Sequence, residues 1–250
     1  MDIQQQKSFK VLLIGDSCLD YYVYGEVKRL NPEVPVPILD YKRKEVREGM
    51  ALNVRNNLQS FGIDVHMLTN DEKIIKTRYI DERSNQQILR VDEEISCSPL
   101  RHEISYDYDA IVISDYDKGF ITSEFLFNIA NNSDIPIFID SKKTVLPSSG
   151  CFVKINHLEY SKLKVKSDNI IVTYGSKGTE YRGTLYPSKK VNVYDVVGAG
   201  DTFLAALTFF YLKYGIIERA ITFANAAAGI AVSHPGTYVL TENDVKNLCD

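Results

Sequence analysis

Short apolar runs alternate along the chain with longer segments in which apolar positions recur every three to four residues. Phe9 to Gly15 (FKVLLIG), Ile63 to Leu68, Ala110 to Ser114 (AIVIS), Ile135 to Ile139 (IPIFI), Cys151 to Ile155 (CFVKI) and Ile170 to Thr173 (IIVT) are rich in β-branched residues. Near-continuous runs of this kind suit strands covered on both faces, as in a parallel sheet beneath helices. Asn53 to Phe61, Ser123 to Asn131 and Asn156 to Leu163 carry helical spacing, and Asp201 to Tyr214 and Ile217 to Ser233 form two longer helical patterns. The repeated strand–helix order predicts a layered α/β domain.

Two stretches depart from that rhythm. Val34 to Arg47 combines prolines with partial alternation, which suits an exposed or edge strand. Ile74 to Val91 reads as two strands with a turn near Glu82 to Asn85. Together they form either one small β flap standing off the main sheet or two surface hairpins. No internal repeat or low-complexity tract divides the 250 residues, a length that fits one large domain.

With 44% hydrophobic and 25% charged residues the chain is outside the disordered class, and no apolar run of about 18 residues predicts a bilayer span. Met1 to Lys10 is polar and lacks the apolar core of a signal peptide. Cys18, Cys97, Cys151 and Cys249 are scattered without a CxxC pair, and the four histidines form no HExxH. Reduced thiols in a cytoplasmic protein are expected, with neither a disulfide framework nor a zinc site. A net charge of −4 without a basic stripe argues against nucleic acid as partner. It also means that any bound phosphate must be held by local backbone amides and a few placed cations, because the overall field repels it.

The segment richest in chemistry is Val191 to Leu207, VNVYDVVGAGDTFLAAL. It reads as a strand feeding Gly198-Ala199-Gly200, after which Asp201 opens an amphipathic helix. Two glycines let successive N–H groups point at one spot, and the helix N-terminus adds unpaired donors and partial positive charge. The result is an anion hole suited to a phosphoryl group in transit, with Asp201 placed to take a proton from an attacking hydroxyl. The plain alternative is an Asp N-cap after a tight glycine turn. There is no GxxxxGK[ST] loop, and no GxGxxG follows the first strand. Ala224 and Ala226 to Gly229 supply small residues for either tight helix packing or the wall of a flat ligand site.

DVVGAGDTF resembles the C-terminal signature of the ribokinase-like (PfkB) carbohydrate kinases, which transfer the γ-phosphoryl group of ATP to a sugar hydroxyl. Further segments agree in order: GDSCLDYYVYG at Gly15 to Gly25, NPEVPVPIL at Asn31 to Leu39, SNQQILRVDEE at Ser84 to Glu94, ISDYDKG at Ile113 to Gly119 and FANAAAGIAV at Phe223 to Val232. Within the family they look like the heptose 7-phosphate kinases, and the likeness runs from about Val11 to Thr241. The resemblance implies a single ribokinase-like three-layer α/β domain over residues 1–250, with a mainly parallel central sheet and a small β lid inserted at about 20–47 and 74–92. The implied reaction is ATP-dependent phosphorylation of the anomeric hydroxyl of D-glycero-D-manno-heptose 7-phosphate to the 1,7-bisphosphate. A kinase of another sugar or sugar phosphate, and a non-catalytic relative that only holds nucleotide or sugar phosphate, remain open.

Carried over by position, the resemblance makes Asp201 the catalytic base and Gly198, Ala199 and Gly200 the anion hole. Asn156 and Glu159 match an NxxE element that organises Mg²⁺ and phosphates through water in the family's usage; on their own they read as a helix cap and capping-box pair. Asp20 and Asn53 match positions that hydrogen-bond sugar hydroxyls, and Gly49 lies in the glycine hinge. Arg90, Lys118 and Lys142 are candidates for the phosphate at the far end of the sugar. Ser176, Lys177 and Gly178 in TYGSKG, with Asn225, fall where the family holds the nucleotide. ATP, Mg²⁺ and a monovalent cation are the implied cofactors, and a homodimer paired through the lid is the implied assembly. With the chain ending at Asp250, any adenylyl transfer is expected to need a separate nucleotidyltransferase.

Three departures stand out. Met50 replaces a glycine in the hinge, Val197 replaces the threonine before the glycine turn, and Thr69 to Lys76 lacks an expected strand–helix unit, which predicts an exposed sheet edge.

Overall fold

The computed structural model describes residues 8–102 and 104–249. Most of the polar start, Met1 to Lys10, therefore lies outside the described residues. The chain runs β1 (Lys10–Gly15), β2 (Ser17–Leu30), β3 (Pro37–Met50), α1 (Ala51–Ser60), β4 (Asp64–Thr69), β5 (Ile75–Asp81), β6 (Gln86–Glu93) and β7 (Ala110–Asp115). It continues through α2 (Ser123–Asn132), β8 (Ile137–Ser141), β9 (Phe152–Asn156), α3 (His157–Lys162), β10 (Ile170–Thr173), β11 (Thr179–Tyr181) and β12 (Thr184–Tyr186). Three helices close the chain: α4 (Ala199–Tyr214), α5 (Ile217–Ala231) and α6 (Glu242–Cys249).

Eight strands form the main sheet in the order β12-β11-β10-β9-β8-β7-β1-β4. It is parallel from β10 to β4, and β11 and β12 add an antiparallel edge. Because side chains alternate along a strand, β1 sends Val11 and Leu13 to one face and Leu12 and Ile14 to the other. The first pair joins the core beneath α1, α4 and α5. The second joins Ile111, Ile113 and the α2 residues Leu126 and Ile129. Burial on both faces is why these strands read as unbroken apolar runs, and the three-layer expectation holds.

The departing stretches build one sheet, not two hairpins, in the order β3-β2-β5-β6. β2 is its spine, antiparallel to β3 and parallel to β5. The sheet starts at Ser17, slightly earlier than the expected lid boundary, because the chain leaves β1 and enters β2 after Asp16 alone. Only Asn70 to Ile74 connects β4 to β5, and β4 is the last strand of the main sheet, as the shortened segment predicted. The irregular stretch between β6 and β7 lays Leu100, Ile104 and Tyr108 against the second core.

Two expectations around the glycine turn fail. No strand precedes it: after β12 the chain is irregular up to Gly198, with Val191, Val193 and Val196 exposed. Asp201 does not open α4 but occupies its third position, with Gly198 as the cap. Nor is the start of α4 amphipathic, since every residue from Asp201 to Phe209 is buried. The sheet, α1 and α5 all pack on it, so a one-sided apolar stripe is not required.

Met50 caps α1 with φ 56° and ψ −132°, a region that favours glycine and strains a side-chain-bearing residue by about 1–3 kcal/mol. Its side chain is buried in the second core instead of entering the hinge space. The position that admits no side chain is Gly49, where a Cβ would meet Asp20 Oδ2 at 2.2 Å and Cys18 Sγ at 2.7 Å.

Candidate active site

The carboxyl ends of β1, β7, β8 and β9 converge with the N-terminus of α4, beneath the inner face of the four-stranded sheet. Open α/β sheets present ligand crevices at this end. Asp16 follows β1, Asp115 ends β7 and Tyr116 follows it, Asp140 and Ser141 end β8, and Lys154 and Asn156 lie on β9.

Asp201 is 3% exposed. Its Oδ2 accepts a hydrogen bond from Asn53 Nδ2 at 2.9 Å and its Oδ1 one from the Tyr116 hydroxyl at 2.8 Å. Burial pushes its carboxyl up to about 6, opposed by those two hydrogen bonds and by Lys154, with Asp140 adding to the rise. A carboxylate titrating there is ionised at neutral pH and still basic enough to take a hydroxyl proton in transit. Asn53 thus serves the carboxylate directly, and its expected contact with sugar is limited to what its amide has left. Tyr116 was not singled out from sequence; its signal was the ISDYDKG segment, where a tyrosine follows a strand end.

Gly198 adopts φ 77°, and a Cβ there would stand 2.7 Å from Asn53 Nδ2. A Cβ on Gly200 would meet Lys154 Nζ at 2.8 Å. Lys154 is 4% exposed and pairs with Asp140 at 2.5 Å. A buried cation therefore flanks the glycine turn, a feature the sequence reading missed; the available signal was a lysine interrupting the apolar strand CFVKI. The turn does not depend on a hydroxyl at position 197. Asp195 accepts the N–H groups of Val197 at 3.0 Å and of Gly236 at 2.9 Å, and Thr202 Oγ1 donates to the Gly198 carbonyl at 3.2 Å. Gly198→Ala is expected to lower stability by about 1–2 kcal/mol through its left-handed backbone, read by thermal unfolding.

Asn156 and Glu159 form a capping box on α3. Asn156 Oδ1 accepts from the Leu158 and Glu159 N–H groups, and Glu159 Oε2 accepts from the Asn156 N–H. The plain reading of NHLE is thus realised, and one oxygen of Glu159 and the Asn156 amide nitrogen stay outside that box. Among the described residues no group of three or more His, Cys, Asp or Glu side chains is arranged to hold a metal ion. Any Mg²⁺ here would be held chiefly by phosphate and water, which suits an ion that dehydrates reluctantly.

A cleft of about 600 Å³ runs from Ala199 and Gly200 along α5. Ser176, Gly178 and Asn225 lie in its wall, whereas Lys177 does not. The Asn225 side chain is engaged within the fold: Oδ1 accepts from Thr179 Oγ1 at 2.7 Å, and Nδ2 donates to the Tyr186 carbonyl at 2.9 Å. The small-residue run presents two different faces of α5. Ala224 and Ala227 are fully buried in the core, while Ala228 and Gly229 face the cleft.

The remaining candidates lie on or beside the four-stranded sheet. Asp20 sits on β2, buried and ion-paired with buried Arg78 of β5. Arg90 is committed to Asp92 by two bonds of 2.7 and 2.8 Å, and Lys118 to Glu94 at 2.6 Å. Lys142 and Lys76 instead lie over the Tyr116 ring, at 4.6 and 5.8 Å, with no carboxylate partner among the described residues. Arg47 Nη1 donates to the Pro235 carbonyl at 2.8 Å, and Asn85 Nδ2 to the Tyr194 hydroxyl at 2.5 Å, tying this sheet to the segments beside the cleft.

Residues 154–244 match the family described as pfkB family carbohydrate kinase. The chain is 31% identical over 296 residues to the bifunctional protein HldE of a Nitratiruptor species, covering 95% of this chain and 64% of the relative. It is 29% identical to the bifunctional protein HldE of Helicobacter pylori, covering 94% and 65%. The chain thus spans just under two thirds of the length of these relatives. An alignment longer than the chain also means that the Nitratiruptor protein carries segments this one lacks, in keeping with the short β4–β5 connection.

Among solved structures, Arabidopsis thaliana ribokinase complexed with ribose and ATP superposes with a TM-score of 0.67 at 16% identity, covering 96% of this chain and 98% of that one. Escherichia coli phosphofructokinase-2 in complex with potassium gives 0.68 at 15%, covering 96% and 97%. The fold is that of ribokinase. Over residues 154–244 the chain is similar to the pfkB family of carbohydrate kinases.

Proposed function

We propose that this chain is an ATP-dependent sugar kinase that phosphorylates the anomeric hydroxyl of a heptose 7-phosphate, with residues 1–250 acting as one kinase domain. The observation that carries the reading is Asp201: a buried carboxylate beside a glycine turn at the end of a cleft, hydrogen-bonded to Tyr116, over whose ring lie two uncommitted lysines. The bifunctional HldE relatives support the heptose as acceptor.

In this reading the nucleotide lies in the cleft along Ala228 and Gly229, with its γ-phosphoryl group over the Gly198–Gly200 amides and beside Lys154. Asp201 takes the proton of the anomeric hydroxyl as that oxygen bonds to the γ-phosphorus. The bond from the γ-phosphorus to the bridging oxygen breaks, and ADP leaves with the electron pair. Positioning and charge stabilisation account for most of the rate in such transfers. Bound Mg²⁺ would neutralise phosphate charge, with Asn156, Glu159 and Asp140 nearby to order its water shell. Asp195 closes the turn where the resemblance implies a monovalent cation. The four-stranded sheet acts as a lid that excludes water, and Arg47 and Asn85 latch it to the nucleotide side. Its outer face exposes Val46, Leu89 and Val91, which suits pairing with a second copy through the lid.

Of the three cations suggested for the distal phosphate, Lys142 is the one left available, and Lys76 joins it; Arg90 and Lys118 are occupied by carboxylates. ADP release is to be followed with Mg-ATP and heptose 7-phosphate, sedoheptulose 7-phosphate, fructose phosphates and ribose. Turnover selective for heptose 7-phosphate is expected, and Lys142→Met should raise KM for the phosphorylated acceptor about tenfold or more with little change for ATP. Selectivity for another acceptor would reassign the sugar. Silence with every sugar, in folded protein that binds ATP, would favour the non-catalytic alternative.

A further inference from the structure

We infer that Tyr116 is a positioning residue that holds the general base ionised and oriented through its hydrogen bond to Asp201 Oδ1, an assignment that rests on the kinase reading above. The tyrosine is held firmly at both ends. Its backbone N–H donates to Asp16 Oδ2 at 2.7 Å, and the Lys118 N–H reaches the same oxygen at 3.3 Å. Asp16 is fully buried at the end of β1, so the turn after β7 is pinned to the centre of the sheet. Within that turn Asp117 adopts φ 58° and its N–H donates to Asp115 Oδ1 at 2.9 Å. Lys143 bridges Asp115 and Asp117 at 3.2 and 2.5 Å. With the Asp16 contacts on either side, and Asp117 held by Asp115 and Lys143, the backbone that carries the Tyr116 ring is fixed in place.

At its other end the phenol donates to Asp201 Oδ1. With Asn53 on Oδ2, both carboxylate oxygens receive a donor, which fixes the plane of the group and leaves its remaining lone pairs for the acceptor hydroxyl. The groups facing this pair are Asp140 of β8, Lys154 of β9, Cys18 of β2, Lys76 of β5 and Lys142 after β8. Burial and the Asp201 charge hold the phenol well above its ordinary value, so it remains a donor throughout the neutral range. A donor to a buried carboxylate favours the ionised form. Without it, Asp201 should keep its proton to higher pH.

Tyr116→Phe removes the donor and keeps the ring. The acid limb of its kcat/KM–pH profile is expected to move up by about one to two pH units, with the deficit at neutral pH shrinking in alkali. A uniform loss at every pH, with the limb unmoved, would mean a merely structural role and overturn the inference. Carboxyl ¹³C NMR of the full chain without substrate, with the Asp201 signal assigned by its loss in Asp201→Asn, reads the same shift without turnover. An upward-moved midpoint supports the inference even if no sugar is phosphorylated, and an unmoved midpoint sinks it even if the kinase is active. If Tyr116→Phe does not fold, 3,5-difluorotyrosine installed at 116 makes a stronger donor and should move the Asp201 midpoint down; no movement would overturn the inference.

Discussion

Asp201→Asn is expected to cut turnover by about 10²–10⁴-fold while leaving ATP affinity within a few-fold, because it removes the proton acceptor and keeps the shape of the glycine turn. The same substitution should make the protein more stable in alkali. Asp201 has a folded-state value of about 6, raised from 3.8, so the folded form holds this proton more tightly than the unfolded chain does. Its favourable contribution is full below about pH 4 and is lost as pH rises towards 6. Above that the wild type carries the cost of a buried charge, roughly 3 kcal/mol by linkage, less whatever hydrogen bonding the amide fails to reproduce. Melting curves of the two proteins should nearly coincide at pH 4 and separate between pH 4 and 6, with the variant higher at pH 8. A variant that melts lower at pH 8 would show that the carboxylate's two hydrogen bonds outweigh its desolvation.

Arg78→Met should be the more damaging change to stability. It leaves Asp20 buried on β2 without its guanidinium, and removing one partner of a buried ion pair costs about 3–5 kcal/mol. The double variant Asp20→Asn/Arg78→Met should regain most of that loss, since no uncompensated charge remains. Urea unfolding of the two single variants and the double closes the cycle. Additive losses would mean that the two residues act independently and that the pair does not hold the lid strands together.

Much of the fold is visible in the chain itself. Residues of β1, β7, β8 and β9 are apolar at consecutive positions because both faces are covered, and no tertiary knowledge is needed to read them. The lid is harder. β2 alternates buried Cys18, Asp20 and Tyr22 with half-buried neighbours, but the buried positions include an acid, so a polarity pattern does not separate the two sides. The β11–β12 pair consists of three-residue strands, too short for any periodicity to register. Val191 to Val197 misleads in the other direction: its alternating valines suggest a strand, yet they line a cleft without a neighbouring strand to pair with.

The site divides in the same way. Asp201 and the Gly198–Gly200 turn are legible because their chemistry depends on backbone freedom and a helix start, which are local. Asn156 and Glu159 are legible as a capping box for the same reason. By contrast, Asn53 and Tyr116 are 148 and 85 residues from Asp201 in sequence, and Lys154 is separated from Asp140 by a loop. Sequence offers no rule for which distant donor meets which acceptor. The same limit explains why Arg90 and Lys118 stood beside Lys142 as equal phosphate candidates: all three are basic, and only their neighbours show that two are committed.

The sequence alone therefore determined the layered α/β class, the core strands, the glycine turn and its acid, since each follows from local periodicity or local backbone geometry. The tertiary structure decided which charges are free, which donors surround Asp201, and that Met50 turns into the core while Gly49 admits no side chain. Those outcomes depend on desolvation and on contacts between residues far apart in the chain, and both come into being only when the sheet and the lid close on one another.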